Sequence, residues 1–234
     1  MSLQRARFRG DPSTHEFQEV LKRLKHDGCN LLVTGAVSED VTVEATRTLL
    51  GAPNAERKRV VALADPSAGN VYERLPPGVD SDDSDVWIID QDACQRSVPK
   101  AAESGGVSLP TDETDRSALG RLREEVVVAI DFFADADSGL DSSELRLSVS
   151  SLGRMAHEYD PDRVARFVRS VSAMVKGVRG MAHYHLPRPD DDEVVDRLSP
   201  LFDARIELRK RDGLPTEQRW HVPECDQRTD WVRL

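Results

Sequence analysis

The residues Gly35-Ala36-Val37-Ser38-Glu39-Asp40-Val41-Thr42 follow an apolar run, Cys29 to Thr34, and lead into a helical pattern that ends at Leu50. That is the setting of a phosphate-binding loop, G-x-x-x-x-G-K-[ST] between a strand and a helix, whose backbone N–H groups and lysine cradle the phosphates of a nucleotide. Gly35 and Thr42 match this pattern, whereas Asp40 stands at the second glycine and Val41 at the lysine. No lysine remains to reach the β- and γ-phosphates. Glu39 and Asp40 place two carboxylates where an anion must approach, and they repel it. A structural use of Ser38 and Thr42 is also open: hydroxyls at this position cap a helix.

Other residues offer weaker chemistry. His183 and His185 are two apart on a predicted strand and share a face, a spacing that binds zinc when a third ligand arrives, with Cys29 and Cys94 at strand ends. The plainer use of such a pair is packing between the sheet and a helix. Ser150-Ser151 sits at a strand-to-helix junction like a nucleophile elbow, but no G-x-S-x-G frames it. Asp190-Asp191-Asp192-Glu193 reads as a helix N-terminus, where the dipole favours carboxylates, rather than as a cation site. Trp87 lies in a buried-looking strand, and Trp220 and Trp231 either close the sheet edge or anchor an interface.

The elements that must position these residues alternate. Strands are predicted at 29–34, 59–64, 86–90, 145–151 and 180–186, each a nearly continuous apolar run of the kind that suits a parallel sheet covered on both faces. Helices are predicted between them: one capped at Ser13 or Thr14, then 41–50, 115–134, a short one after Leu152, one from Asp160-Pro161, and one from Asp190 to Phe202. Residues 204–209 and 219–222 alternate around Gly213 and read as an antiparallel hairpin, with a last strand over 229–234. The sum is one α/β domain over 1–234, with a flexible segment at 1–12 and a mobile loop at 91–114.

Composition narrows the setting. The chain carries 26 Asp, 16 Glu and 26 Arg but 6 Lys, and a net charge of −10. A surface rich in Asp and poor in Lys stays hydrated in concentrated salt, so we expect an extreme halophile; an acidic protein from a GC-rich genome is the alternative. The same balance argues against nucleic acid, whose backbone wants a basic face. No run of 18 apolar residues spans a membrane, and the N-terminus lacks the apolar core of a signal peptide. Three cysteines without C-x-x-C spacing are expected to be reduced thiols, and the location to be cytoplasmic.

The order of parts resembles the RecA-like ATPases and, among them, the KaiC-like proteins common in archaea, most nearly a group of haloarchaeal KaiC-related proteins. The resemblance is carried by Gly28–Gly35, Leu145–Leu152, Met181–Leu186, Leu201–Leu208 and Arg219–Val222. It implies a three-layer RecA-like P-loop fold with a mostly parallel sheet, and hexameric rings as the family habit. It also implies a Walker B strand ending in a magnesium-holding aspartate, where this chain has Ser150 followed by Ser151. Asp90 is the substitute carboxylate on offer. Two readings follow. In the first, the domain is a pseudo-ATPase without cofactor, a regulatory or interaction module that binds a protein partner or a homologous subunit. In the second, it is an atypical nucleotide-binding protein or weak ATPase. ATP and magnesium then sit at Gly35, Ser38, Thr42, Asp90 and Ser150, with Asp40 as a further magnesium candidate and Arg47 in place of the lysine.

Overall fold

The computed structural model describes residues 12–63, 70–90, 95–97, 117–135, 139–150, 152–225 and 227–234. The helices are α1 (Pro12–Asp27), α2 (Glu39–Leu50), α3 (Ala118–Ala134), α4 (Leu152–Glu158), α5 (Pro161–Gly177) and α6 (Glu193–Leu198). The strands are β1 (Cys29–Thr34), β2 (Lys58–Leu63), β3 (Val86–Asp90), β4 (Gln95–Ser97), β5 (Leu145–Val149), β6 (Met181–His185), β7 (Ala204–Arg209), β8 (Glu217–Val222), β9 (Gln227–Arg228) and β10 (Val232–Arg233). A 3-10 turn, Val71–Arg74, lies between β2 and β3.

All ten strands join one sheet in the order β10-β8-β7-β1-β6-β5-β2-β3-β4, with β9 on β8. The six strands from β7 to β3 are mutually parallel. The expected antiparallel hairpin, β7–β8, closes one edge. The other edge was not foreseen: β4 runs antiparallel to β3, inside the segment read as a mobile loop. Three residues with no alternation leave no periodic signal to read. The rest of that segment lies outside the described residues, as do residues 1–11 of the predicted flexible segment 1–12, whose last residue, Pro12, begins α1.

Helices cover both faces, which gives the three-layer RecA-like arrangement. On one face α3, α4, α5 and α6 bury Leu32, Val60, Ala62, Leu145, Leu147, Val149, Ala182 and Tyr184 of the sheet. Trp87 packs here against Phe132 and Phe133, at 5.4 and 6.3 Å between ring centres. On the other face two separate apolar clusters form. One joins α1 and α2 to Leu31, Val33 and the hairpin, with Trp220 edge-on to Phe17. The second surrounds Val61, Leu63 and Ile88.

Helix ends follow local chemistry. Asp160 accepts the Arg163 N–H at 3.0 Å ahead of Pro161, as the sequence indicated. Of the three aspartates at 190–192, Asp192 alone caps α6, accepting the Val194 N–H at 2.8 Å. α1 begins at Pro12, so Ser13 and Thr14 lie inside its first turn rather than ahead of it. The buried arginines Arg59 and Arg146 donate to carbonyls in and just past the last turn of α2, Arg59 to Ala52 O (2.8 Å) and Arg146 to Leu49 O (3.5 Å). They pin α2 to β2 and β5.

Candidate functional site

The phosphate-loop position lies at the carboxyl end of β1, where parallel α/β sheets hold their ligands. The connection from β1 to α2 is short. α2 starts at Glu39, two residues before the position of the lysine, rather than at 41 as the motif suggested. Glu39 and Asp40 favour this early start, because carboxylates stabilise the first turn of a helix.

The donors of the loop are engaged by the chain itself. Gly35 donates its N–H to Arg188 O at 2.8 Å, Val37 to Gly35 O at 2.9 Å, and Thr42 to Ser38 O at 3.2 Å. Ser38 has extended backbone angles and occupies the N-cap position, but its hydroxyl does not cap the helix. The Ser38 carbonyl accepts the Val41 N–H at 3.1 Å as well as that of Thr42, closing the first turn of the helix. The Ser38 hydroxyl nearby, and then the N–H groups of Asp40 itself and Val41, hold the Asp40 carboxyl below its ordinary range. These loop amides are thus turned to carbonyls of the chain, and the exposed Asp40 carboxylate stands beside them. Glu39 turns aside to form an ion pair with the buried Arg74 of the 3-10 turn. Val41 is buried among Val33, Ala45 and Ile206, so the lysine position points into the core. Thr42 is buried as well, and its hydroxyl lies 3.4 Å from Ser38 O. Arg47 donates to Glu73 O at 2.7 Å and does not serve the loop.

The remaining predicted site residues are spread along the sheet. Ser150 directly follows β5, two strands from β1, with β6 between. Asp90 ends β3, four strand spacings from β1, which is roughly 19 Å at about 4.8 Å per strand. Gly35, Ser38 and Thr42 come together at one loop. Ser150 lies beyond β6, and Asp90 is at the far side of the sheet.

Beneath α2 a polar seam separates the two apolar clusters. His183 pairs with Leu31 on β1 and Ser148 on β5, and His185 pairs with Val33. Both rings face α2 and are fully buried, 5.3 Å apart and edge-on. Thr46 donates to Thr42 O at 3.0 Å and contacts His185 Nε2 at 2.9 Å. One hydroxyl satisfies both contacts when its proton goes to Thr42 O and its oxygen accepts from the Nε2–H tautomer of His185. The seam thereby ties β6 to the start of α2. Thr46→Val keeps the shape but leaves His185 Nε2–H without an acceptor. It is expected to lower stability by about 1–3 kcal/mol in a denaturant titration. An unchanged midpoint would contradict this link. The metal reading of the histidine pair gains no third ligand: neither ring belongs to a group of three ligating side chains among the described residues. Cys29 is a buried free thiol, pushed up to about 12 by burial, and Cys94 lies outside the described residues.

A cluster that the sequence did not reveal stands at the other side of β1. Asp190, Glu207 and His221 bring one ligating atom each within 4.8 Å of the others. Arg205 already fills the role of cation there. Its Nε lies 3.0 Å from Asp190 Oδ1, and its Nη2 lies 3.1 Å from Oδ2 and 3.2 Å from His221 Nδ1. Arg219 pairs with Glu207, and His221 Nε2 lies 3.0 Å from the same carboxylate. Two carboxylates are thus balanced by two guanidiniums, and Thr34 adds a bond to Asp190 at 2.8 Å. Burial holds His221 below its ordinary range against the pull of Glu207 and Asp190, which keeps the ring neutral. The alternation of β7 and β8 was legible. That its charged face would close on itself across the hairpin was not.

The fold is similar to that of the KaiC-like protein PH0186 from the hyperthermophilic archaeon Pyrococcus horikoshii OT3, with a TM-score of 0.51 and 10% identity, over 88% of this chain and 82% of that one. No curated protein matches the sequence. A family described as a family of unknown function, DUF7504, matches residues 28–208, a span that runs from the glycine before β1 to the end of β7 and contains the whole loop and seam. The chain is a member of the DUF7504 family, built on a KaiC-like, RecA-type fold.

Proposed function

We propose that this protein is a pseudo-ATPase: a RecA/KaiC-like domain that performs no phosphoryl transfer and acts as a regulatory or protein-interaction module in the cytoplasm of a halophile. The observation that carries this reading is the burial of Val41, at the lysine position, among Val33, Ala45 and Ile206, with the Gly35 N–H taken by Arg188 O and the Val41 and Thr42 N–H groups taken by Ser38 O. Phosphoryl transfer rests on positioned donors and cations around the transferred group. Here the loop donors are engaged, the lysine position is an apolar core residue, and the Walker B position is Ser150. A fold persists without its chemistry because its core does not depend on the site. The module then works by contact with a protein, either a homologous subunit or a different chain.

Equilibrium binding of labelled ATP and ADP with magnesium, in KCl concentrated enough to suit the acidic surface, tests this. The expected result is no saturable binding up to about 1 mM nucleotide, the range in which binding free energies fall below about 4 kcal/mol. Saturable binding that disappears in Thr42→Ala would overturn the proposal and establish the divergent loop as a nucleotide site using ATP and magnesium.

A further inference from the structure

A separate concavity of about 420 Å³ opens at the carboxyl ends of β5 and β6. Ser150 and Gly153 line it from the β5–α4 side, and Pro187 and Pro189 from the segment that follows β6. Its charged lining is Arg154, Arg188 and Asp192. The volume is that of small-molecule sites, and the place is where parallel sheets receive their ligands. The fit of the walls is close: a Cβ on Gly153 would stand 3.2 Å from Pro187 Cδ.

Donors dominate this lining. The prolines contribute no N–H. The Ser150 hydroxyl is buried and has no hydrogen-bond partner among the described residues, an arrangement that is unfavourable unless something occupies the site. Arg154 pairs with Glu158 at 2.7 Å and Arg188 with Asp192 at 3.1 Å. Both are i,i+4 pairs with partly exposed side chains, and such pairs are weak enough to exchange partners. One hydroxyl and two guanidiniums face a single lining carboxylate. That set fits a ligand that only accepts hydrogen bonds and carries negative charge.

We propose that this pocket binds a small anionic metabolite through its oxyanion group, a carboxylate or a phosphate, with Arg154, Arg188 and the Ser150 hydroxyl as the donors. Neither Ser38 nor Thr42 of the β1–α2 loop lines this pocket, and the loop meets it only through the bond from the Gly35 N–H to Arg188 O. Calorimetric titration of the full chain with inorganic phosphate and, separately, with citrate tests it and distinguishes the two oxyanion sources. Saturable binding of one of them is expected, and it should weaken as chloride rises. The double variant Arg154→Gln, Arg188→Gln is expected to fold normally and to lose about tenfold or more in affinity.

Ser150→Ala supplies a control that a purely structural serine would not meet. Removing an unpartnered hydroxyl is expected to leave the thermal midpoint unchanged or raised, while binding weakens several-fold. Thr42→Ala is expected to leave binding untouched. Absence of binding by both probes up to about 10 mM overturns the proposal. So does binding that the arginine variant retains. Phosphate binding lost in Thr42→Ala places the oxyanion at the loop, which overturns this proposal and the pseudo-ATPase reading together.

Discussion

Acidification from pH 6.5 to about 4.5 is expected to remove on the order of 5 kcal/mol of folding stability, through His183 and His185 alone. Both rings are fully buried under α2. Burial pushes His183 down to about 3, with Arg146 and Arg74 adding to the shift. Burial also holds His185 well below its ordinary value, helped by His183 and Arg74. With folded values depressed, the unfolded chain binds more protons than the native one between pH 6.5 and about 3. Stability is therefore complete above 6.5 and falls as pH drops, by up to about 1.4 kcal/mol per pH unit for each ring. Domains are stable by only about 5–15 kcal/mol, so a loss of this order is a large fraction of what holds such a fold together.

His221 acts in the same direction, because its value is lowered too. The carboxyls of Asp192 and Glu217 are also held low, and they add to the loss only at more acidic pH. Denaturant titrations at half-unit steps of pH check the slope. Replacing both residues, as His183→Gln with His185→Gln, is expected to flatten it between pH 6.5 and 4.5, whatever the starting stability. An unchanged slope, or a ring of either residue titrating near 6.5 by NMR, would refute this account.

Gly35→Ala is expected to be among the most damaging single methyl additions to this chain, at about 3 kcal/mol or more. Gly35 has φ +120°, and a Cβ built there would stand 2.2 Å from Leu208 O on the neighbouring β7. That contact is with backbone inside a six-stranded parallel core, and it cannot be relieved by a side-chain rotation. Gly213 provides the comparison: its φ is +70°, but no atom lies within 4 Å of the added carbon. Gly213→Ala is expected to cost about 1 kcal/mol, the backbone penalty by itself. Chemical denaturation of the two variants separates close approach from backbone strain. Equal losses would mean that β7 yields at the loop. The first glycine of the phosphate pattern is thus required by the packing of β1 against β7, and its presence is no sign of retained phosphate chemistry.

The sequence by itself determined the elements. Apolar runs marked β1, β2, β3, β5 and β6 because a strand buried on both faces needs apolar side chains at nearly every position. Helical spacing at Val164, Phe167, Val168, Val171 and Val175 marked α5, and all five are buried. That position 41 carries valine and position 150 serine was also plain, since both are matters of residue type at a fixed place. These signals lie within windows of neighbouring residues.

Only the tertiary structure decided what those elements bring together. The strand order sets Asp90 four strands from Gly35 and slides β6 between β1 and β5, which puts His183 and His185 under α2. The segment after β6 supplies the Arg188 carbonyl that takes the Gly35 N–H. The hairpin folds Arg205, Glu207, Arg219 and His221 onto Asp190, a group that alternation alone presents as an ordinary polar face. Ser150, Arg154 and Arg188 become one pocket because β5 and β6 are adjacent and parallel. Local propensity and period are encoded in contiguous residues. Strand neighbours, and the burial of a polar side chain, follow from pairings outside any local window, such as Cys29 with Met181 and Leu31 with Ala204.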